Sequence, residues 1–457
     1  MTSLSPTAST LADTLRQRRQ RLADRISFPV LLWSGNSSAR NFPANVYPYR
    51  ASSHFLYFAG LSLENAAIHL ADGKLTLFMD EATPASILWH GDTPSRSAIA
   101  TQIGADATYP LDKLQNFAEG AATLPVQDSA TRSHQSQILH RNPTESLSQD
   151  QTLAEAIVQL RMIHDEAAIA AIRQAAAVTV QAHRVGMAVT ASARREAQVR
   201  AAMESVILGE NMTCAYGSIV TVQGEVLHNN HYHHRLQSGD LLLADVGAEA
   251  ESGWASDVTR TWPVSGKFSP TQRALYDVVL AAHDRCIAQA KPGIEYRDLH
   301  MAASTAIATG LTELGILKGH PENLVEMDAH ALFFPHGVGH LLGLDVHDME
   351  DLGDVAGYET GRQRSDRFGL CYLRLNRPLQ PGMIVTIEPG FYQVPAILND
   401  PVRRSKYQSV VNWERLAEFS DTRGIRIEDD VLITTEGCEV ITEALPTQAT
   451  EIEALVA

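Results

Sequence analysis

The stretch from Leu241 to Trp262 constrains the fold of this chain most strongly, because it places two acids in apolar sequence on either side of a turn. An apolar run ends on Asp245, and after a glycine-containing turn region a second β-type run begins beside Asp257. Apolar β-formers on both sides of such a turn predict a hairpin, whose strand ends can share one small site. A carboxylate in these surroundings is costly unless its charge is compensated, and a divalent metal ion would compensate it.

The length of the chain, 457 residues, predicts two domains, because one ordinary core does not grow to that size. Its composition, 44% hydrophobic and 20% charged, is typical of a globular protein. Residues 125–152 are polar and without periodicity, and we interpret them as a linker or surface loop. We therefore expect a domain of residues 1–150 and another of residues 151–457, with an α/β (α+β) fold class.

Charge and cysteine content exclude several classes of protein. A formal net charge of -16 argues against a nucleic-acid surface. Four cysteines without CxxC spacing favour reduced thiols. No run of 18 apolar residues suggests a membrane span, and the N-terminus lacks the apolar segment of a signal peptide. We therefore expect a cytoplasmic protein that does not bind membranes.

Local patterns predict several elements. The first helix is expected from about Thr10 to Arg25, and strands are expected at VLLWSG, AAIHL and LTLFM, the last two joined by an Asp-Gly turn. Two consecutive helices are expected from Leu153 onward. Ser269 followed by proline predicts the start of a long helix, and the run after Gly293 predicts a second one.

Three further stretches place acids or imidazoles within apolar sequence. FFPHGVGHLLGLDVHD carries His336, His340 and His347, a strand-like run ends on Glu388, and GIRIEDDVLIT carries Glu428. Taken singly, such an acid is usually solvated or a helix cap, and such a histidine is usually a satisfied core residue. Taken together, four carboxylates and one imidazole suit Mn, Co or Zn, and four crowded acids would repel one another without cations.

The ordered set of acids and histidine resembles that of the pita-bread metallopeptidases acting on proline peptides, aminopeptidase P and prolidase. The contexts LLLADVGAE, SDVTRTWPVSGKF, HGVGHLLGLDVHD, TIEPG and GIRIEDD carry, in order, Asp245, Asp257, His340, Glu388 and Glu428. NVYPYRASSHFLYFAGL and LTLFMDE are similar to the N-terminal domain of those enzymes. The resemblance implies a small mixed α/β domain of the creatinase/aminopeptidase P type, followed by a pita-bread catalytic domain, and it is closest to prolidase.

The resemblance implies two divalent metal ions per subunit, with Mn2+ preferred and Co2+ or Zn2+ as alternatives. Asp245 would chelate one metal, and Asp257 and Glu428 would bridge both. His340 and Glu388 would complete the ligands of the other metal. A water between the ions would be the nucleophile, and Glu388 would act catalytically by moving its proton.

Two histidines match catalytic and substrate-binding positions of the family. His228, in EVLHNN, and His347, in DVHD, would hydrogen-bond the substrate carbonyl or the developing oxyanion. The alternative for His228 is a solvated loop histidine, because its loop holds three more histidines, His231, His233 and His234, which we expect at the surface.

Two arginines also match the family. Arg426 would support the metal site, or else form an ordinary cross-strand ion pair. Arg374 matches the prolidase arginine that binds the free carboxylate of a dipeptide, for which a guanidinium is well suited. Arg377 is the alternative for that task. The long insertion between Glu388 and Glu428 also looks more like that of prolidase.

The sequence departs from the family pattern at two places. Asp245 and Asp257 are one position further apart than is common, so the hairpin turn is expected to hold one extra residue without moving the ligands. The glycine-rich turn expected before His228 is replaced by VTVQGE, which puts the local shape of the substrate pocket in question.

The implied activity is hydrolysis of the bond between an N-terminal residue and proline, with Xaa-Pro dipeptides favoured over the longer peptides of aminopeptidase P. A non-catalytic pita-bread binding protein and a creatinase-like C–N hydrolase are the alternatives from other classes, and organophosphate hydrolysis is a conceivable side activity. The expected partners are proline-containing di- or oligopeptides. The family suggests a homodimer or homotetramer.

Overall fold

The computed structural model describes residues 10–456, and the chain divides into two compact units, Met1–Arg161 and Met162–Ala457. The helix Ser148–Arg161 ends the first unit, and it contains position 150, where the sequence places the boundary. Residues 1–9, which belong to the stretch expected not to be a signal peptide, lie outside the described range. Between residues 10 and 456, no helix combines the length and apolar character needed to cross a membrane.

The first unit is built on a mixed five-stranded sheet. The strands of this unit are β1 Val30–Trp33, β2 Ala39–Phe42, β3 Asn45–Val46, β4 Ala67–Ala71, β5 Lys74–Phe78, β6 Ala107–Tyr109 and β7 Ala122–Thr123. The five-stranded sheet has the order β6-β5-β4-β1-β7, and β2 and β3 form a separate pair. Its helices are α1 Leu11–Ala23, α2 Ser53–Ala59, α3 Pro84–His90, α4 Arg96–Ile103, α5 Ser129–Leu139 and α6 Ser148–Arg161, with a 3-10 helix at Leu111–Phe117.

The predicted first helix and the predicted strands of this unit are confirmed. Thr10 caps α1 by accepting a hydrogen bond from the backbone N–H of Asp13, as a side-chain oxygen at the N-cap does. Asp72 and Gly73 both have positive φ, +51° and +74°, in the two-residue turn between β4 and β5. This is the turn geometry that matches the twist of an antiparallel pair.

The prediction of an irregular linker over residues 125–152 is wrong where α5 forms. Asp128 accepts a hydrogen bond from the backbone N–H of Thr131 and so begins the helix. Gln135 is fully buried, and its side-chain amide donates to the carbonyl of Leu124 and accepts from the N–H of Val126. Because this helix packs through polar groups, its sequence shows no apolar periodicity.

The second unit has its strands in four small sheets, with the orders β12-β10-β9, β11-β8, β13-β16-β17 and β14-β15. The strands are β8 Thr213–Cys214, β9 Ile219–Thr221, β10 Leu241–Asp245, β11 Ala248–Glu249, β12 Thr259–Pro263, β13 Ile384–Ile387, β14 Gly390–Tyr392, β15 Gly424–Arg426, β16 Asp429–Ile433 and β17 Cys438–Val440. The long helices are α7 Glu166–Thr190, α8 Glu196–Gly209, α9 Pro270–Gln289 and α10 Tyr296–Glu313. The short helices are α11 Pro321–Glu326, α12 Asp354–Gly357, α13 Pro395–Leu398, α14 Pro401–Tyr407, α15 Trp413–Ala417 and α16 Ala449–Val456, with 3-10 helices at Ala329–Leu332 and Glu350–Leu352.

The helices predicted from Leu153 onward are confirmed as α6 and α7, and those predicted near residues 270 and 293 as α9 and α10. Ser269 forms a complete capping box with Gln272 at the start of α9. The core of the unit includes buried apolar side chains from α7, α8, β10 and β12, among them Met187, Met203, Leu242 and Trp262. This core fixes the hairpin that carries the first two acids.

The hairpin predicted from Leu241 to Trp262 is confirmed. β10 pairs antiparallel with β12, and Asp245 lies opposite Thr259. Gly247 permits the close approach of the returning chain, since a Cβ atom there would lie 1.9 Å from the carbonyl oxygen of Ser256. β13 pairs with β16, with Ile387 opposite Asp429. The ends of both pairs carry the acids described next.

Candidate metal centre

A cavity of about 630 Å³ in the second unit is lined by nine residues to which the sequence assigns a site role. These residues are His228, Asp245, Asp257, His340, His347, Arg374, Glu388, Arg426 and Glu428. They lie between positions 228 and 428 of the chain, so the fold brings distant segments to one place.

The two acids of the hairpin lie side by side. Asp245 ends β10 and Asp257 precedes β12, and both side chains are buried. The hydroxyl oxygen of Tyr216 lies 2.5 Å from a carboxylate oxygen of each. The extra residue expected in the turn therefore does not separate the two acids.

His340 is held against Asp257 by the backbone around it. Its Nε2 atom lies 3.4 Å from an oxygen of Asp257 and 3.9 Å from an oxygen of Glu388. Its Nδ1 atom lies 3.0 Å from the carbonyl oxygen of Leu341, which leaves Nε2 to face the acids. Gly339, with φ +151°, has no space for a Cβ, which would lie 2.3 Å from the carbonyl oxygen of Thr386.

Glu428 is oriented by the strand opposite. The hydroxyl of Thr259 donates a hydrogen bond of 2.6 Å to Glu428, and Thr259 in turn accepts one of 2.9 Å from Nε of Arg426. Arg426 also donates to Asp245 and to the hydroxyl of Tyr392. The arginine predicted to support the site therefore contacts one acid directly and another through a threonine.

Three of the five predicted ligands form the tightest group. One ligand atom each from Asp257, His340 and Glu428 lies within 4.8 Å of the other two, which is close enough to hold one metal ion. The other two ligands lie beside this group. Glu388 directly follows β13, and Asp245 contacts the same tyrosine hydroxyl, that of Tyr216, as Asp257 does. All five side chains line the same cavity.

The electrostatics of the cluster fit divalent cations. Burial raises the pKa of Asp245, Asp257 and Glu428, and the neighbouring acids raise that of Glu428 further. Burial, followed by opposing effects of Arg426 and the two aspartates, raises the pKa of Glu388 to about 8. Burial also lowers the pKa of His340 to about 4, which favours the neutral imidazole that binds metals. The ionised forms of these acids are disfavoured by burial and mutual repulsion, and divalent cations, which prefer oxygen-rich sites, would stabilise them.

A second layer of acids holds the backbone of the cluster. Asp430 accepts hydrogen bonds from the hydroxyl of Ser256 at 2.7 Å and from the backbone N–H of Asp257 at 3.1 Å. Asp429 forms a buried ion pair with Arg260, which also donates to the carbonyl oxygen of Glu428. Such outer contacts fix the orientation of metal ligands.

The residues expected to bind substrate form another part of the cavity wall. His347 packs edge-on against His340, with ring centres 4.3 Å apart, and its Nδ1 atom lies 2.8 Å from an oxygen of Glu350. Arg374 donates to the other oxygen of Glu350. Burial lowers the pKa of both His228 and His347.

Arg377, the alternative to Arg374, is not among the residues that line the cavity. Arg377 donates its hydrogen bonds to the carbonyl oxygens of Val355 and Tyr358, so it is held by the backbone.

The expectation that the other three histidines of the His228 loop are all surface residues is wrong for His234. Its side chain is half-buried and lies 2.9 Å from the buried carboxylate of Glu196.

Several residues at the site received no role from the sequence. His336 lines the cavity, with Nδ1 3.7 Å from Glu388 and Nε2 2.9 Å from the hydroxyl of Tyr392. Its position in the HGVGH motif was a usable signal. Tyr216 and Glu350 had none, because neither lies in a recognisable motif.

Comparison with known proteins decides the family. Residues 170–435, more than half of the chain, match the family described as Metallopeptidase family M24. The chain belongs to this family. Residues 15–125 match the N-terminal domain of aminopeptidase P. The predicted resemblance and the two-part fold of this M24 member are therefore confirmed.

Relatives of two kinds are similar to this M24 member. Human Xaa-Pro dipeptidase is 29% identical over 96% of this chain and 92% of its own length. A probable Xaa-Pro aminopeptidase of Tuber melanosporum is 31% identical over 86% of this chain and 84% of its own. The structure of Pseudomonas aeruginosa aminopeptidase PepP matches with a TM-score of 0.78 at 28% identity, over 97% of both chains. These relatives do not separate a dipeptidase from an aminopeptidase.

Proposed function

We propose that this M24 member hydrolyses the peptide bond between an N-terminal residue and a following proline, with Xaa-Pro dipeptides as its favoured substrates. One observation supports this most directly: a buried cluster of four acids and a histidine shares one cavity with Arg374. The acids provide a metal centre, and a guanidinium on the same wall is suited to the carboxylate of a short peptide. An Xaa-Pro bond is a tertiary amide without N–H, which sets such substrates apart from ordinary peptides.

The proposed centre holds two divalent cations, with Mn2+ preferred over Co2+ or Zn2+. Asp245, Asp257, His340, Glu388 and Glu428 would hold these ions. When bound, the ions would polarise the scissile carbonyl and lower the pKa of a water molecule. The close group of Asp257, His340 and Glu428 supports this assignment.

The remaining roles belong to side chains around the centre. Glu388 is proposed to accept and return a proton, a task suited to a carboxylate positioned beside the attacking water. His228 and His347 are proposed to hydrogen-bond the substrate carbonyl. Because Nδ1 of His347 donates to Glu350, its Nε2 atom donates only in the imidazolium form, which burial disfavours and the contact with Glu350 favours. Arg426 is proposed to hold Asp245 in place.

The test compares Xaa-Pro dipeptides with Xaa-Pro-Xaa tripeptides on purified protein loaded with Mn2+. The proposal expects a higher kcat/KM for the dipeptide and no turnover of a matched Xaa-Ala dipeptide. A strong preference for the tripeptide would replace the dipeptidase with an aminopeptidase. Absence of stoichiometric metal, with no activity after metal is added, would instead indicate a binding protein.

The cytoplasmic location and the homodimer or homotetramer expected from the sequence stay predictions. Cell fractionation tests the location. Sedimentation of the purified protein tests the oligomer.

A further inference from the structure

Glu350 connects two residues of the cavity wall through its two carboxylate oxygens. One oxygen lies 2.8 Å from Nδ1 of His347, and the other accepts a hydrogen bond from Nη1 of Arg374. Glu350 also lines a small side pocket of about 60 Å³, together with His347, Arg374 and His340. A single half-exposed acid therefore contacts both the histidine and the arginine that face the substrate space.

The negative charge of Glu350 is firmly held. Its contact with His347, opposed by burial and reinforced by Arg374, lowers the pKa of Glu350 to about 2. Among residues 10–456, Glu350 is the one hydrogen-bonding partner that the structure gives to Arg374. A guanidinium binds a carboxylate through a planar fork of donors, so Glu350 uses the same kind of contact that a substrate carboxylate would use.

We propose that Glu350 is a specificity-determining residue, an internal carboxylate that occupies Arg374 and that the C-terminal carboxylate of a dipeptide must displace. This inference rests on the proposed function, because it takes Arg374 as the anchor of that carboxylate. Glu350 would weaken the binding of a dipeptide acid without affecting a dipeptide amide. A tripeptide, whose carboxylate lies one residue of about 3.5 Å further along the chain, would also be little affected.

The variant Glu350→Gln separates the two contacts of this side chain. The amide oxygen of Gln still accepts a hydrogen bond from Nδ1 of His347, whereas its NH2 group offers Arg374 no acceptor. Any effect through His347 would be the same for a dipeptide acid and its amide. The ratio of their KM values therefore reports on Arg374 alone.

The experiment measures KM and kcat of the Mn2+-loaded protein for an Xaa-Pro dipeptide, its C-terminal amide and the matching tripeptide. Glu350→Gln is expected to lower KM for the acid about fivefold relative to the amide, the size of effect typical of a partly exposed ion pair. In an Arg374→Gln background the same change is expected to leave the ratio unaltered. Glu359→Gln is the matched control, because it removes an acid that pairs with Arg362 instead.

A direct binding measurement keeps this inference separate from the proposed function. Calorimetry with an Xaa-Pro analogue that has a reduced scissile bond, and with its C-terminal amide, needs no turnover. The expected result is again a selective gain of about fivefold for the acid in Glu350→Gln. The role of Glu350 would be overturned if Glu350→Gln left the affinity of the acid relative to the amide unchanged. It would also be overturned if this relative affinity changed equally in the Arg374→Gln background. Loss of hydrolysis of every Xaa-Pro substrate by the unaltered protein would overturn only the proposed function.

Discussion

Asp430 accepts a hydrogen bond of 3.1 Å from the backbone N–H of Asp257, so an acid on β16 fixes the backbone of an acid beside β12. Its other oxygen accepts a hydrogen bond of 2.7 Å from the hydroxyl of Ser256. The two contacts hold Asp257 in the orientation in which it faces His340.

Replacing Asp430 with Asn is expected to lower metal affinity about tenfold or more, the range found when the outer contacts of a ligand are lost. Asn has one acceptor oxygen in place of two, so either Ser256 or the N–H of Asp257 faces an NH2 group. Calorimetric titration of the metal-free protein with Mn2+ measures the change. Glu436→Gln, in the exposed turn that follows the same strand, is the control. Equal affinity in the Asp430 and control variants would contradict the role of Asp430.

Metal removal is expected to destabilise the second unit. The buried acids repel one another without cations, and a bound metal at a hundred times its Kd adds about 2.7 kcal/mol to the free energy of unfolding. Thermal unfolding with and without Mn2+ measures this difference as a rise in Tm. Asp257→Asn should lose most of the rise, because it removes a member of the closest ligand group. A full rise in Asp257→Asn would place the metal elsewhere.

Thr259→Val is expected to reduce stability and metal affinity together. The hydroxyl of Thr259 links Arg426 to Glu428, and Val has the same shape without it. The buried Nε of Arg426 then lacks its acceptor, which costs about 1–3 kcal/mol. Urea unfolding and Mn2+ titration measure the two effects. Thr108→Val is the matched control, because its buried hydroxyl has no hydrogen-bonding partner among the described residues. The same small change in both variants would argue against the link.

Stability is expected to fall in mild acid because of His300. This residue is fully buried, its Nε2 lies 2.7 Å from the carbonyl oxygen of Gly369, and burial lowers its pKa to about 4. In the unfolded chain a histidine has a pKa of about 6.5, so below that pH the unfolded state binds the proton first. The contribution of the neutral, buried His300 to the free energy of unfolding is complete above pH 6.5 and is lost as the pH falls toward 4.

Urea unfolding at pH 7 and pH 5 checks this prediction. The free energy lost between these two values should be about 2 kcal/mol smaller in His300→Gln than in the unaltered protein. Gln retains a donor for the carbonyl of Gly369 but does not titrate. His90→Gln, which changes an exposed histidine, should keep the full loss. An identical pH dependence in all three proteins would show that His300 does not contribute.

The sequence predicted the parts of the fold and site that depend on local patterns. The hairpin around Asp245 and Asp257 follows from apolar β-forming runs on both sides of a glycine-containing turn, and Glu388 follows directly after a buried strand. The residues proposed as ligands come together because each lies at or near the end of a strand or in a glycine-rich loop. The expectation that these residues form one metal site came from the resemblance to a family with the same ordered motifs, because their spacing alone does not show it.

The rest depends on contacts that have no local signal. Tyr216 meets the two hairpin acids from a separate loop, and Glu350 meets Arg374 only because two loops fold together. The helix α5 was missed because its buried face is polar, with Gln135 satisfying backbone groups of a neighbouring strand region. Sequence periodicity reports apolar burial, so polar packing escapes it.

The closest ligand group joins Asp257 and His340 to Glu428, near the C-terminal end of the chain. During synthesis, a ribosome-bound chain that has emerged only as far as His340 lacks the third member of this group. Metal loading therefore has to wait until the chain has been synthesised past residue 428, and a product truncated before that residue would lack a member of the closest ligand group.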